Sequence, residues 1–233
     1  MHAFLERIIS ENEQIKTFCF RPESPVRYTA GQYIEMTLPH DNPDDRGANR
    51  WFTLSSSPTD EYISITTRLT PGGSSFKKAL AALQAGNGVT ISEPMGDFVL
   101  PKLLQTPLIF VAGGIGITPF HSMLEWMAAT GEERPVTMLY GVKSEDDIIF
   151  RETARKAGVH LTVVVEEPSS EWGGERGRLT ADIITGITRP TEDALLYVSG
   201  PEAMVEGLQK DLLTAGIDRQ QIVTDTFPGY AGI

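Results

Sequence analysis

The sequence predicts a β-then-α/β chain, a small antiparallel barrel followed by a doubly wound parallel sheet. Three observations carry this. Up to about Leu100, short runs alternate apolar and polar residues at period two, with turn residues between them. After Pro101, continuous apolar runs alternate with helix-period segments, as strands buried on both faces require. The length, 233 residues, is large for one core and comfortable for two.

In the first half, residues 15–20, 32–38 and 62–67 read as strands. Pro22, Pro25 and the polar loop 39–47, PHDNPDDRG, supply the turn chemistry between them. One helix, from about Ser75 to Leu83, interrupts the strands, and no internal repeat is visible. Such short, punctuated strands fit a small barrel. Residues 100–107 read as the linker, so domains are expected at 1–100 and 104–233. In the second half, strands at 108–112, 136–140, 161–165 and 195–199 alternate with helices near 118–129, 147–157, 179–185 and 202–215.

Composition excludes several functions. A net charge of −11 and a pI near 4.8 speak against a nucleic-acid partner. The single cysteine, Cys19, forms no internal disulfide and falls short of the four ligands of an iron–sulfur cluster. His2, His40, His121 and His160 are scattered without metal-ligand spacing, so no built-in metal centre is expected. The apolar stretch 107–120, PLIFVAGGIGITPF, is too short for a bilayer and carries three glycines. With no basic, apolar leader in MHAFLERIIS, the expectation is a cytoplasmic protein without membrane insertion. Oligomeric state is not readable.

Gly113, Gly114 and Gly116, with Ile115 and Ile117 between and after them, directly follow an apolar strand. Thr118 is expected as N-cap of the next helix and Pro119 as its first residue. Such a turn lets the backbone approach a pyrophosphate, with free amides and the helix dipole facing the charge. It lies at the carboxyl end of the first parallel strand, where open α/β sheets bind ligands. Pro119 stands at the last position of G-x-G-x-x-G, so a tight turn for helix packing remains the alternative. A second glycine turn, Gly72-Gly73-Ser74-Ser75, precedes the helix of the first half and is also an anion-binding start.

These elements stand among eight markers in order: Ala30-Gly31-Gln32-Tyr33, Arg50-Trp51-Phe52-Thr53-Leu54-Ser55-Ser56, Thr66-Thr67-Arg68, Gly73-Ser74-Ser75, Glu93-Pro94-Met95-Gly96-Asp97-Phe98, AGGIGITP, Tyr140-Gly141 and Ser199-Gly200-Pro201. Together they resemble the ferredoxin–NADP reductase superfamily in its short form, without a fused iron–sulfur domain. The resemblance implies a six-stranded antiparallel flavin-binding β-barrel, then a doubly wound nucleotide-binding domain. It implies hydride transfer from NADH or NADPH to FAD, with electrons passed to a ferredoxin, a flavodoxin, an oxygenase component or a small acceptor such as a free flavin or ferric complex. FMN is the competing cofactor; the SSFKKAL continuation looks more like the FAD-binding members. A redox or regulatory module with weak nicotinamide reactivity is the rival reading.

The resemblance also distributes roles. Arg50 would hold the flavin phosphates, a task suited to a planar, permanently charged fork, with Trp51, Leu54 and Ser55 in the same cofactor-binding element. Phe52 would lie against the isoalloxazine and Thr53 near flavin N5. Gly73, Ser74 and Ser75 would hold the pyrophosphate, and Thr66, Thr67 and Arg68 would line the cofactor. Residues Gly113 to Pro119, Tyr140 and Gly141 would bind the nicotinamide dinucleotide. Ser199-Gly200-Pro201-Glu202-Ala203-Met204 corresponds to the family's C-G-x-x-x-M, with serine in place of the cysteine near nicotinamide C4. That departure predicts looser or slower nicotinamide engagement. Asp225-Thr226-Phe227 resembles an E-x-aromatic element, so Phe227 or Tyr230 would shield the flavin. Arg178 matches a basic position of NADPH-specific relatives, whereas Glu166 and Glu167 would repel a 2′-phosphate and suit a free hydroxyl. The balance points to NADH.

Overall fold

In the first unit, Met1–Val99, six strands form one antiparallel sheet. They are β1 (His2–Ser10), β2 (Ile15–Pro22), β3 (Tyr33–Thr37), β4 (Asn49–Thr53), β5 (Ile63–Arg68) and β6 (Gly88–Ile91), ordered β4-β3-β6-β1-β2-β5. A single helix, α1 (Ser75–Ala81), lies between β5 and β6 in sequence. Just past β4, the Ser55 amide donates to the Ser64 carbonyl at 2.8 Å, drawing the two edges of the sheet together. The alternation in β3 sends Ile34 and Met36 inwards, where they join Phe18, Phe20, Leu54, Ile65, Phe76 and Leu80 in a fully enclosed cluster. Each such side chain contributes about 1.5–3 kcal/mol by leaving water. The structure is a computed structural model and describes residues 1–227.

In the second unit, Leu100–Ile233, the described residues form an α/β sheet whose strand pairs are all parallel. Its elements are β7 (Leu108–Gly113), α2 (Thr118–Thr130), β8 (Val136–Val142), α3 (Arg151–Lys156), β9 (His160–Val165), β10 (Glu175–Arg176), α4 (Ala181–Thr188), β11 (Leu195–Pro201), α5 (Glu202–Thr214) and β12 (Ile222–Phe227). The order β10-β9-β8-β7-β11-β12 places β7 inside, with the chain winding out to β10 and then returning to β11. The direction reverses between β7 and β11, and the crevice above such a switch point is where doubly wound sheets take ligands. Among the described residues, no helix is long and apolar enough to cross a membrane.

Two helix expectations shift. The helix expected from 147 begins at Arg151, because residues 145–147 form a 3-10 turn and Phe150 adopts a left-handed φ of 58°. That conformation stacks the Phe150 ring on His121 at 3.6 Å. The helix expected from 179 begins at Ala181, because Thr180 is the N-cap and its hydroxyl accepts from the Ile183 amide.

Candidate functional site

In the first unit, the β3–β4 register pairs Ile34 with Phe52 and Met36 with Arg50, so Phe52 and Arg50 share a face. Both rest on Phe76 of α1: the Phe52 and Phe76 centroids are 5.8 Å apart, and the Arg50 guanidinium lies 5.3 Å above the Phe76 ring. Trp51 points the other way, 63% exposed, tilted against Tyr33 at 6.0 Å. Thr53 ends β4 and is buried.

Arg50 is heavily engaged. Its Nη1 donates to the carbonyls of Arg46, Gly47 and Asn49 (3.0, 3.0 and 2.6 Å), and its Nη2 donates to both carboxylate oxygens of Asp44 (2.7 and 2.9 Å). The guanidinium bonds hold the Asp44 carboxyl below its usual range. In the glycine turn, Ser74 caps the seven-residue α1 by accepting from the Lys77 amide, and Ser75 Oγ accepts from the Asp44 amide at 2.9 Å. His40 Nε2 lies 3.0 Å from the same Ser75 oxygen. The Asp44 carboxylate is a stand-in anion: Nη2 of the guanidinium donates to both of its oxygens, a charge-assisted contact of the kind a flavin phosphate would make. The donor set fits that cofactor.

Other expected flavin contacts face inwards. Ser55 and Thr66 belong to a hydroxyl chain running from Glu11 through Thr17, Thr66 and Ser55 to Ser64, with links of 2.7, 2.8, 2.9 and 2.9 Å. Their hydroxyls satisfy one another, as buried polar groups must, so cofactor contact by these side chains is not what they offer. Leu54 and Thr67 are fully enclosed, while Arg68 reaches Gln14 at 2.9 Å on the surface. Residue periodicity cannot reveal such a chain, because it depends on the cross-strand pairing of Thr17 with Thr66.

In the second unit, a groove of ≈ 380 Å³ opens over the carboxyl ends of β7, β8, β9 and β11. Gly113, Gly114, Gly141, Glu166, Arg178 and Met204 line it, with Gly207 and Asp211 of α5, which the sequence had not marked, further along. Its floor is close-packed: a Cβ on Gly113 would displace the Met204 thioether, and one on Gly141 would fall 2.7 Å from Leu179 Cδ1. Pro201 also lines the groove. The arrangement fits an extended nucleotide that approaches backbone closely.

The rest of the glycine turn serves packing. Residues 114–117 form a buried 3-10 turn, and a Cβ on Gly116 would lie 2.6 Å from Gly200 Cα and closer still to the Ser199 carbonyl oxygen. Thr118 is not the N-cap. Ile117 holds that position, and the Thr118 hydroxyl donates to the Ile115 carbonyl at 3.0 Å. Pro119 is accordingly the second residue of α2, not the first, though still in the first turn, and is buried with Ile115, Ile117 and Thr118. Tyr140 is fully buried behind the groove, its hydroxyl donating to the Asp147 carbonyl at 3.1 Å. Glu166 accepts from Arg178 Nε at 2.6 Å, and this bond raises the Arg178 pKa.

Ser199 is fully buried at the carboxyl end of β11, where its hydroxyl meets Asp225. Gly200 follows it with φ 156°. Phe227 is half-buried and pairs with Pro201 at the end of β12. Tyr230 lies outside the described residues.

The oxidoreductase FAD-binding domain model matches residues 3–100, and the oxidoreductase NAD-binding domain model matches residues 110–210. The chain belongs to the ferredoxin–NADP reductase superfamily. Among superfamily relatives, it is 27% identical over 237 residues to flavohemoprotein A of Dictyostelium discoideum, covering 96% of this chain and 59% of the relative. It is 29% identical to the toluate 1,2-dioxygenase electron transfer component of Pseudomonas putida, covering 88% of this chain and 60% of the relative. The chain thus spans about three fifths of the length of these curated relatives. A cytochrome P450 reductase from Amycolatopsis superposes with a TM-score of 0.84 at 22% identity, covering 97% of this chain and 70% of that one, which establishes the shared fold. The superfamily assignment makes the first unit an FAD-binding one and the second an NAD-binding one.

Proposed function

We propose that the chain is an NAD(P)H-dependent flavoprotein reductase that passes hydride equivalents from a nicotinamide dinucleotide to FAD and electrons onward to a protein partner. The observation that carries this is one chain joining an FAD-binding unit, with a guanidinium that donates to both oxygens of a carboxylate, to a glycine-floored groove at the switch point of a parallel sheet. FAD, when bound, supplies the two-electron acceptance and one-electron release.

The protein's part is binding and orientation. We assign the flavin-binding domain to residues 1–100 and the nicotinamide-binding domain to 104–233. Arg50 neutralises flavin phosphate, Gly73 to Ser75 flank it, and Phe52 offers a ring face with Thr53 beside it. In the second domain, Gly113, Gly114 and Gly141 let the dinucleotide backbone settle, while Met204 and Pro201 wall the groove. Ser199 sets the nicotinamide end, and Phe227 is the aromatic at that end. Glu166 disfavours a 2′-phosphate, which makes NADH the preferred donor. An oxygenase component is the favoured acceptor, since one relative is named as the electron transfer component of a dioxygenase and another as a glycine betaine monooxygenase reductase subunit. The net charge of −11 disfavours an acidic carrier. A cytoplasmic location agrees with a lone, buried cysteine, Cys19.

The test is purification under mild conditions, a visible spectrum, and anaerobic titration with NADH and NADPH separately. A yellow protein whose flavin absorbance is lost within a turnover supports the reductase. A yellow protein that neither dinucleotide bleaches is a flavin-binding module instead, and a colourless one that stays empty in excess FAD ends the reading.

A further inference from the structure

We propose that Asp44 is a built-in competitor for the flavin phosphates, so that FAD loading is an exchange of one oxyanion for another on Arg50. The inference rests on the FAD-binding reading above and adds a residue that reading does not contain.

Arginine offers five N–H donors. In Arg50, Nη1 serves three carbonyls of its own loop and Nη2 serves both oxygens of Asp44. Nη1 is taken up by the backbone carbonyls, so Nη2 is the nitrogen left to meet an oxyanion, and Asp44 holds it with both carboxylate oxygens. A phosphate cannot share it with a carboxylate at 2.7–2.9 Å, because two like charges would then stand within contact distance. One of them must leave.

The same residue also holds the second predicted phosphate ligand. The Asp44 backbone amide donates to Ser75 Oγ at 2.9 Å, so a single loop residue occupies Arg50 with its carboxylate and Ser75 with its amide. The loop is folded around Asp44: its Oδ1 accepts from the Arg46 amide at 3.1 Å, and its carbonyl accepts from the Gly47 amide at 2.8 Å. The barrel core is independent of this latch, since Arg50 and Ser75 sit on β4 and α1 while Asp44 lies on the 39–47 connection. Both partners keep some contact with water, with side-chain exposures of 13% for Arg50 and 26% for Asp44. Exchange therefore requires loop movement only.

The experiment measures FAD affinity on the deflavinated full chain by quenching of flavin fluorescence, for wild type, Asp44→Asn and Asp45→Asn. Asp44→Asn keeps the size and one acceptor oxygen while deleting the competing charge. Asp45 is an exposed neighbour and controls for the general field of the loop. The expected result is FAD binding roughly tenfold tighter in Asp44→Asn, with a faster association rate and a much smaller change in Asp45→Asn. Equal gains in both variants, or weaker binding in Asp44→Asn, overturn the inference while leaving the FAD reading intact. Failure of wild type and variant alike to bind FAD removes both. Hydrogen exchange on wild type needs no variant: adding FAD should speed exchange at the Asp44 amide as its bond to Ser75 opens, and slower or unchanged exchange there sinks the latch.

Discussion

Ser199 and Asp225 stand opposite one another on the parallel strands β11 and β12, and the Ser199 hydroxyl donates to Asp225 Oδ2 at 3.4 Å. The contact is long, yet Ser199 is fully buried, and a buried hydroxyl needs an acceptor. It ties the residue proposed for the nicotinamide end to the last described strand. A thiol at 199 would be larger and a far weaker donor, so it would release Asp225 and turn to its ligand. Ser199→Cys is therefore expected to speed flavin reduction by NADH roughly three- to tenfold, about 0.7–1.4 kcal/mol in the barrier. Stopped-flow reduction at equal rates in both proteins would remove Ser199 from the site.

On the proposed reading, Glu166 sets the choice of dinucleotide through Arg178, which it holds by a hydrogen bond. The carboxylate both holds the guanidinium at 2.6 Å and repels a phosphate that would seek it. Glu166→Gln leaves Arg178 without its charged partner and free to meet a 2′-phosphate. The NADPH/NADH ratio of kcat/KM is expected to rise by about tenfold, near 1.4 kcal/mol. Steady-state kinetics with both donors checks this. An unchanged ratio would place the discrimination elsewhere in the groove.

Much of this architecture was legible in the sequence, for a physical reason. The strands of the parallel sheet are buried on both faces, so β7, β8, β9 and β11 read as apolar runs, and the β3 alternation at Ile34 and Met36 showed which face is covered. β1 was not legible: only Ala3 and Leu5 of its nine residues face the core, Ile8 and Ile9 are exposed, and its register to β2 shifts between Leu5 and Arg7. At the sites, glycines marked where backbone packs closely but could not say against what. Gly113 faces the groove, whereas Gly116 faces β11. Side-chain pairings were invisible. A loop of turn-forming, charged residues gave no sign that Asp44 would hold Arg50, and the hydroxyl chain through Thr66 exists only once β2 and β5 pair.

Gly116 sets the distance between the glycine turn and β11. Gly116→Ala would push a methyl into the Ser199 carbonyl and Gly200 Cα, both backbone atoms that cannot rotate aside. The expected loss is about 1–3 kcal/mol of stability by urea denaturation, the usual range for overpacking a filled core. Gly186→Ala in α4 is the control. Its methyl meets nothing within 4 Å, so helix propensity alone should stabilise the protein by about 0.5–1 kcal/mol. If both variants lose stability equally, close packing at Gly116 is not the cause.

Acid stability turns on His121. Its ring stacks on Phe150 at 3.6 Å with planes 11° apart, and its Nδ1 is enclosed without a hydrogen-bond partner. Desolvation, with a smaller repulsion from Lys156, pushes its pKa from 6.5 down to about 3. The unfolded chain takes up a proton as pH falls through 6.5 while the folded chain resists until about 3, so stability is lost progressively across that interval on acidification. From pH 6.5 to 5 the full linkage amounts to about 2 kcal/mol; partial exposure of the residue reduces the expectation to about 1–2 kcal/mol. The depressed carboxyls of Asp44, Glu145 and Glu152 also lose stability on acidification, but only below their ordinary values of 3.8 to 4.5. The window between pH 5 and 6.5 therefore isolates the histidine. His121→Phe, which keeps the stack and deletes the titration, should flatten the urea midpoint across that window. Parallel pH profiles for wild type and variant would show that the imidazole is protonated in the folded state.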